Sequence, residues 1–150
     1  MGKLPAIVGP YRIIRQLGEG GMGAVYEALH RAIGRRVAIK VLHAEYARNE
    51  EITSRFFNEA RAVNIVDHPG IVQISDYGQF PDGTAYIVME FLKGESLANR
   101  IERSAGKLAL GDVLQIGWQL ADSLAAAHGH GIVHRDLKPD NVMMVPDPHM

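Results

Sequence analysis

Apolar and polar residues alternate at the start of the chain, a pattern typical of half-buried β-strands. Tyr11, Ile13 and Leu17 occupy one side of this alternation, which then reaches a glycine-rich stretch. The pattern continues after the glycines and predicts two more strands, over residues 24–31 and 35–42. Because short connections join these consecutive strands, we predict an antiparallel sheet.

The spacing of apolar residues changes to three or four at Ile52, Phe56, Ala60 and Val63. This period predicts a helix from Glu50 to about Val66, which His68-Pro69-Gly70 ends. Two further strands, over residues 71–77 and 84–91, flank a Pro-Asp-Gly turn. The first part of the chain is therefore predicted to contain five strands and one helix.

Helical patterns dominate beyond residue 92. A short helix is predicted to start near Ser96, and a longer one from Asp112 to about His128. Asp112 is the predicted N-cap of the longer helix, with Gln115 three residues later as in a capping box. Apolar residues surround most of the longer helix: Val113, Leu114, Ile116, Trp118, Leu120, Ala121, Leu124 and Ala125. Such a helix is expected inside a larger helical body, which the remaining residues cannot supply. Residues 142–145 begin a strand for which no partner follows, so the architecture stops midway.

Composition narrows the class of protein. The 150 residues are 47% hydrophobic and 22% charged, as in ordinary globular domains. The formal net charge of -1 gives no global basic field, so we expect no nucleic-acid partner. The absence of cysteine excludes disulfides and thiolate chemistry. No apolar run is long enough for a membrane span. We expect a cytoplasmic chain, with a membrane tether elsewhere in a longer parent left open.

A glycine-rich segment, Gly18-Glu19-Gly20-Gly21-Met22-Gly23-Ala24-Val25, fits the pattern GxGxxGxV. Glycines in such a loop let backbone N–H groups approach phosphate oxygens that a Cβ would obstruct. A plain hairpin turn is the alternative. The strand that follows disfavours a dinucleotide fingerprint, which opens a helix, and the segment lacks the GKS or GKT of a Walker loop.

Lys40 and Glu59 form a candidate ion pair. Lys40 shares a strand face with Ala38 and Leu42, so its ammonium either reaches water or meets an anion. Glu59 falls on the predicted apolar stripe of the helix, where an unpaired carboxylate is costly. A Lys40–Glu59 pair beside the glycine loop would orient the lysine toward phosphate.

The segment His134-Arg135-Asp136-Leu137-Lys138-Pro139-Asp140-Asn141 is the strongest signal. Asp136 is suited to accept a hydroxyl proton, Lys138 to stabilise a transferring phosphate and Asn141 to hold a metal. A charged surface turn is the alternative, but it becomes much less plausible because the glycine loop, Lys40 and Glu59 precede this segment in the chain.

With these motifs, residues 11–145 resemble the N-terminal part of a protein kinase catalytic domain, in particular bacterial eukaryotic-like Ser/Thr kinases. The resemblance implies an α+β kinase-like fold: a five-stranded antiparallel N-lobe sheet with helix C, then the first helices and catalytic loop of the C-lobe. It divides the chain into an extension (1–10), an N-lobe (11–91) and the start of a C-lobe (92–150). The segment Asp136-Leu137-Lys138-Pro139-Asp140-Asn141 resembles that of protein kinases that act on Ser/Thr. Its Lys138 distinguishes it from the corresponding segments of tyrosine kinases and small-molecule kinases.

The resemblance also implies an ATP site with Mg²⁺, or alternatively Mn²⁺. The implied adenine contacts are Leu17, Val25, Ala38, Met89, Glu90, Leu92 and Met143. The first three would lie above the adenine and Met143 below it, with Met89 as gatekeeper. Glu90 and Leu92 would offer hinge backbone groups. Arg135 implies an activation-loop phosphate bound by that arginine.

No Asp-Phe-Gly or Ala-Pro-Glu follows Asn141, so the aspartate for the principal metal is absent. We expect a piece of a longer Ser/Thr protein kinase, inactive on its own, whose parent phosphorylates proteins. One alternative is a non-catalytic module that binds nucleotide or docks a partner through the long helix; a kinase of small metabolites is another. A zinc cluster of His128, His130 and His134 is disfavoured, because the resemblance assigns His134 to packing.

Overall fold

The computed structural model describes residues 6–146, and the chain forms two compact units. The first contains the residues up to Asn64 together with Val72–Phe91. The second contains Ile65–Ile71 and the residues from Leu92 onward. The second unit is therefore discontinuous in sequence.

The first unit is built on a six-stranded sheet in which all neighbouring strands are antiparallel. Its spatial order is β1-β2-β3-β4-β6-β5. The strands are β1 (Ile7–Val8), β2 (Tyr11–Glu19), β3 (Gly23–His30), β4 (Arg36–Leu42), β5 (Ile74–Gln79) and β6 (Ala85–Glu90). The predicted antiparallel sheet is confirmed.

The sheet differs from the prediction in its number of strands. The prediction of five strands missed β1, whose Ile7 and Val8 pair with Arg12 and Tyr11, because two residues are too short to show a period. In β2, two register shifts interrupt the predicted alternation. Tyr11 and Ile13 pack against the core, whereas Leu17 lies at the second shift and remains exposed.

Both faces of β4 carry buried residues, although Lys40 is exposed. One face carries Val37, Ile39 and Val41, which pack with residues of β1, β3 and β6. The other face packs against helix α1 (Glu50–Ile65), through Phe56 and Ala60. The helix begins where Asn49 Oδ1 accepts the Ile52 N–H over 3.1 Å, and the helix predicted from residue 50 is confirmed.

The second unit contains helices α2 (Leu97–Arg103) and α3 (Leu110–His128) and a small sheet of β7 (Glu95–Ser96) with β8 (Met143–Met144). Ser96 caps α2, because its Oγ accepts the Asn99 N–H over 3.1 Å. The partner of β8 is β7, which precedes it in the chain; the sequence analysis did not identify this pairing. Among residues 6–146, no helix is long and apolar enough to cross a membrane.

The N-terminus of α3 was predicted incorrectly. The helix begins two residues before Asp112, and its N-cap is Ala109, which makes no side-chain hydrogen bond. Asp112 lies in the first turn, where a carboxylate is still favoured by the helix dipole. Further along α3, Leu114 and Trp118 expose 64% and 69% of their surface, so the described residues leave the predicted apolar circumference uncovered.

The segment after α1 docks on α3 within the second unit. His68 Nε2 lies 2.8 Å from Asp122 Oδ2, and His68 Nδ1 accepts the Gly70 N–H over 2.9 Å. The ring therefore carries its proton on Nε2 and donates it to the carboxylate. A Cβ on Gly70 would collide with Ser123 Oγ, so only glycine allows this approach.

Candidate functional site

The glycine-rich loop connects β2 and β3 and closes on itself, with the Gly20 N–H donating to the Gly23 carbonyl over 2.8 Å. Within residues 6–146, the N–H groups of Gly21 and Met22 donate to no protein acceptor. A Cβ on Gly21 would meet no protein atom within 4 Å, so protein packing does not require glycine there. The loop thus offers two backbone donors and open space to an anion.

Position 23 requires glycine for a different structural reason. It pairs with Leu42, and a Cβ at this position would collide with the Val41 carbonyl oxygen. Glycine here lets β3 approach β4 closely, and this approach fixes the end of the loop against the strand that carries Lys40.

His43 is a residue that the sequence analysis missed. Its Nε2 lies 3.0 Å from the Gly20 carbonyl oxygen and 4.0 Å from a carboxylate oxygen of Glu19. Its backbone N–H donates to the Met22 carbonyl over 2.8 Å. A lone histidine after a strand gives no sequence signal, so only the structure shows this contact with the loop.

The strand register places four predicted nucleotide contacts on one face of the sheet. Val25 pairs with Lys40 on the neighbouring strand, and Ala38 pairs with Met89. Ala38 is buried, Val25 and Met89 are half-buried, and Lys40 is exposed. Since residues two apart on a strand point the same way, these side chains share one surface.

The remaining predicted adenine contacts are more dispersed. Glu90 ends β6, and its backbone N–H donates to the Gln73 carbonyl over 3.0 Å, which leaves its carbonyl group as the candidate hinge contact. Leu92 and Met143 belong to the second unit, where Leu92 is half-buried and Met143 lies in β8.

The predicted Lys40–Glu59 ion pair is not formed in the described part of the chain. The Lys40 Nζ lies 5.9 Å from the centroid of the Phe56 ring, a cation–π arrangement. Glu59 is exposed, because the buried stripe of α1 consists of Thr53, Phe56 and Ala60. The expectation that Glu59 lies on the apolar stripe is therefore wrong: the residue next to it in sequence faces the core instead.

In the segment from His134 to Asn141, several polar groups converge on Asp136. Asn141 Nδ2 donates to the Asp136 carbonyl oxygen over 2.8 Å and lies 3.3 Å from Asp136 Oδ2. Lys138 Nζ lies 3.8 Å from the same Oδ2. The Asp136 N–H donates to His134 Nδ1 over 3.1 Å. These contacts hold an exposed carboxylate with a cation and an amide beside it.

The backbone of this segment has an unusual conformation at one residue. Arg135 has a φ of 69°, in the left-handed region that non-glycine residues rarely adopt. Backbone strain of this kind costs on the order of 1–3 kcal/mol and tends to occur at functional sites. Arg135 lies directly before Asp136 in the chain.

Few protein atoms near Asp136 are available as metal ligands. Because Asn141 Nδ2 donates to Asp136, the Asn141 Oδ1 is the atom left for a cation. Mg²⁺ prefers oxygen ligands and binds through few protein groups together with phosphate oxygens, so this oxygen fits an ion that arrives with a nucleotide. Residues 6–146 contain no group of three or more His, Asp or Glu side chains placed to hold a metal.

A second charged cluster lies at the start of α2. Glu95 accepts hydrogen bonds from Arg100 Nε and from an Arg103 guanidinium nitrogen, each over 2.5 Å. Hydrogen bonds from Arg103 and then Arg100 lower the pKa of Glu95 to about 2. The cluster ties β7 to α2, close to Gly94, where a Cβ would collide with the Met144 carbonyl oxygen of β8.

This cluster predicts a pH dependence of stability. The pKa of Glu95 is lower in the folded protein, so its contribution is fully present above about pH 4.5 and is lost as the pH falls toward 2. The melting temperature of Glu95→Gln should therefore lie below that of the wild type at pH 7, and the difference should shrink below about pH 4.5. Glu102→Gln, on the same helix, is the matched control. Equal pH dependence of the two variants would contradict the assignment.

The comparisons with known proteins agree with this geometry. The family model for the protein kinase domain matches residues 11–150. Serine/threonine-protein kinase Pkn1 of Myxococcus xanthus is 49% identical over 137 residues, which are 91% of this chain and 19% of Pkn1. Serine/threonine-protein kinase PknA of Mycobacterium tuberculosis is 43% identical over 142 residues, 92% of this chain and 33% of PknA.

A solved structure shows the same fold. The crystal structure of the Mycobacterium tuberculosis PknI kinase domain matches 97% of this chain with a TM-score of 0.78 at 31% identity, and the match covers 60% of that domain. The chain thus spans a fifth to a third of the length of the two curated relatives. By the family match and these similarities, the chain belongs to the protein kinase domain family and is homologous to bacterial serine/threonine-protein kinases.

Proposed function

We propose that this chain supplies the ATP-binding elements and the catalytic loop of a Ser/Thr protein kinase, which transfers the ATP γ-phosphate to Ser or Thr hydroxyls of proteins. The observation that carries the proposal is the convergence of Lys138 and Asn141 on the Asp136 carboxylate. The printed names of the relatives, which are serine/threonine-protein kinases, support the reaction class.

In this proposal the first unit binds the nucleotide. The free N–H groups of Gly21 and Met22 donate to phosphate oxygens, and the exposed Lys40 ammonium neutralises their charge. Val25, Ala38 and Met89 offer an apolar surface to the adenine, together with Leu17. The proposal also keeps Glu59 as the partner of Lys40 when nucleotide is bound; no ion pair joins the two residues in this structure.

The second unit carries out the transfer step. Asp136 orients the acceptor hydroxyl and accepts its proton, while Lys138 stabilises charge on the transferring phosphoryl group. Asn141 Oδ1 holds Mg²⁺, or Mn²⁺ in its place, and the ion neutralises phosphate charge when bound. The family resemblance assigns Leu92 and Met143 to adenine contacts and Arg135 to the binding of an activation-loop phosphate.

A second candidate function rests on the exposed side chains of α3. Leu110, Leu114 and Trp118 expose 73%, 64% and 69% of their surface. A kinase-derived, non-catalytic module that docks a partner through α3 is consistent with this exposure.

Phosphate transfer from radiolabelled ATP tests the choice. The chain is extended to a whole kinase domain and offered a mixture of Ser/Thr peptides and small alcohols. We expect label on peptide Ser and Thr residues and none on the alcohols. Label on the alcohols alone would support a metabolite kinase, and nucleotide binding without any transfer would favour the binding module.

A further inference from the structure

His43 contacts the glycine-rich loop through both its side chain and its backbone. It follows the last residue of β4, and its Nε2 lies 3.0 Å from the Gly20 carbonyl oxygen. Since a carbonyl oxygen only accepts, the His43 Nε2 carries the proton and donates it. The His43 N–H donates to the Met22 carbonyl over 2.8 Å. These two contacts lie on either side of Gly21 in the loop.

Few other contacts hold this part of the loop. The Gly20 N–H bonds locally to Gly23, and a Cβ on Gly21 would meet open space. Glycine-rich backbone has many accessible conformations and loses more entropy than other backbone when it is fixed. The His43 side chain, by contrast, exposes only 29% of its surface. His43 directly follows β4, a strand that contributes residues to both hydrophobic clusters of the first unit. His43 is therefore more restricted in conformation than the glycine-rich loop that it contacts.

We propose that His43 is a positioning residue for ATP. Its ring holds the Gly20 carbonyl, and through it keeps the N–H groups of Gly21 and Met22 directed outward toward phosphate. This role rests on the proposed binding of ATP by the loop and adds to it a residue outside the recognised motifs. His43 acts through the backbone of the loop, so it matters for ligands that carry phosphate and not for adenosine.

Titration of the 150-residue chain with Mg-ATP and separately with adenosine tests this role. The variant His43→Ala loses the ring donor and keeps the backbone contact. Its affinity for ATP is expected to fall about three- to tenfold, the effect of one hydrogen bond. Its affinity for adenosine should equal that of the wild type, because adenosine has no phosphate for the loop to hold.

Two further variants separate positioning from a general structural role. His43→Gln places an amide N–H near the position of Nε2 and should restore most of the ATP affinity. His30→Ala removes a histidine from the turn at the other end of β3, where its Nδ1 accepts the Ala32 N–H over 3.2 Å, and should leave both affinities unchanged. Equal loss of ATP and adenosine affinity in His43→Ala, or no recovery in His43→Gln, would overturn the proposal.

Amide hydrogen exchange gives a readout that does not need a nucleotide. The Gly20 N–H closes the loop, so His43→Ala should raise its exchange rate at least about threefold. If the wild type binds neither ATP nor adenosine, the proposed ATP binding fails, and exchange alone then decides whether His43 holds the loop. Unchanged exchange at Gly20 would show that it does not.

Discussion

Asp136→Asn is expected to lower the turnover number for phosphate transfer about a thousandfold, in a polypeptide where this chain is extended to a whole kinase domain. Asparagine keeps the size of the side chain but cannot take up a proton. It also removes the negative charge that lies 3.8 Å from Lys138 Nζ. Because Asp136 lies in the transfer segment and not in the glycine loop, the KM for ATP should change little.

Steady-state kinetics with a Ser-containing peptide measure both constants. Asp140→Asn is the matched control, since it removes a carboxylate from the neighbouring turn (Pro139–Asn141) without touching the Asp136 contacts. It should keep near-normal turnover. If the two variants lost activity equally, the loop would depend on total charge, and the specific role of Asp136 would be refuted.

Lys40→Met should reduce phosphate transfer at least about a hundredfold, because it removes the cation that neutralises phosphate charge in the transition state. Methionine retains an apolar chain of similar length but loses the cation–π contact with Phe56 together with the charge. The loss is expected in kcat/KM for ATP, measured in the same extended polypeptide.

Lys107→Met is the control for loss of an exposed positive charge, and it should behave as the wild type. Thermal melting should show that both variants fold. Undiminished turnover in Lys40→Met would mean that the exposed ammonium does not contact phosphate, and the nucleotide site would then have to be sought elsewhere on the sheet.

The elements that the sequence predicted well are those in which one periodicity continues for several turns or pairs. The register that places Val25 beside Lys40 follows from short connections between alternating strands. The helix from Glu50 shows its period over more than three turns. Asp136 and Asn141 are only five positions apart, so their contact is local in the chain, while their roles in catalysis and metal binding stay a prediction.

The errors arose where the sequence pattern fits more than one position on a helix. Glu59 stands next to the buried Ala60, and a spacing of three or four residues does not distinguish adjacent positions on a helix. Asp112 fits a first turn as well as an N-cap. His43 was missed for another reason: its partner Gly20 is 23 positions away, and a single histidine carries no pattern.

The discontinuity of the second unit restricts where this chain can be cut for experiments. An expression fragment that ended at Phe91 would contain the whole six-stranded sheet and α1, and at first sight would be a self-sufficient piece. It would nevertheless retain Ile65–Ile71 without α3. His68 would then lose its hydrogen bond to Asp122, and Gly70 would lose its packing against Ser123. A fragment designed for expression therefore needs α3, or a redesigned link between α1 and β5.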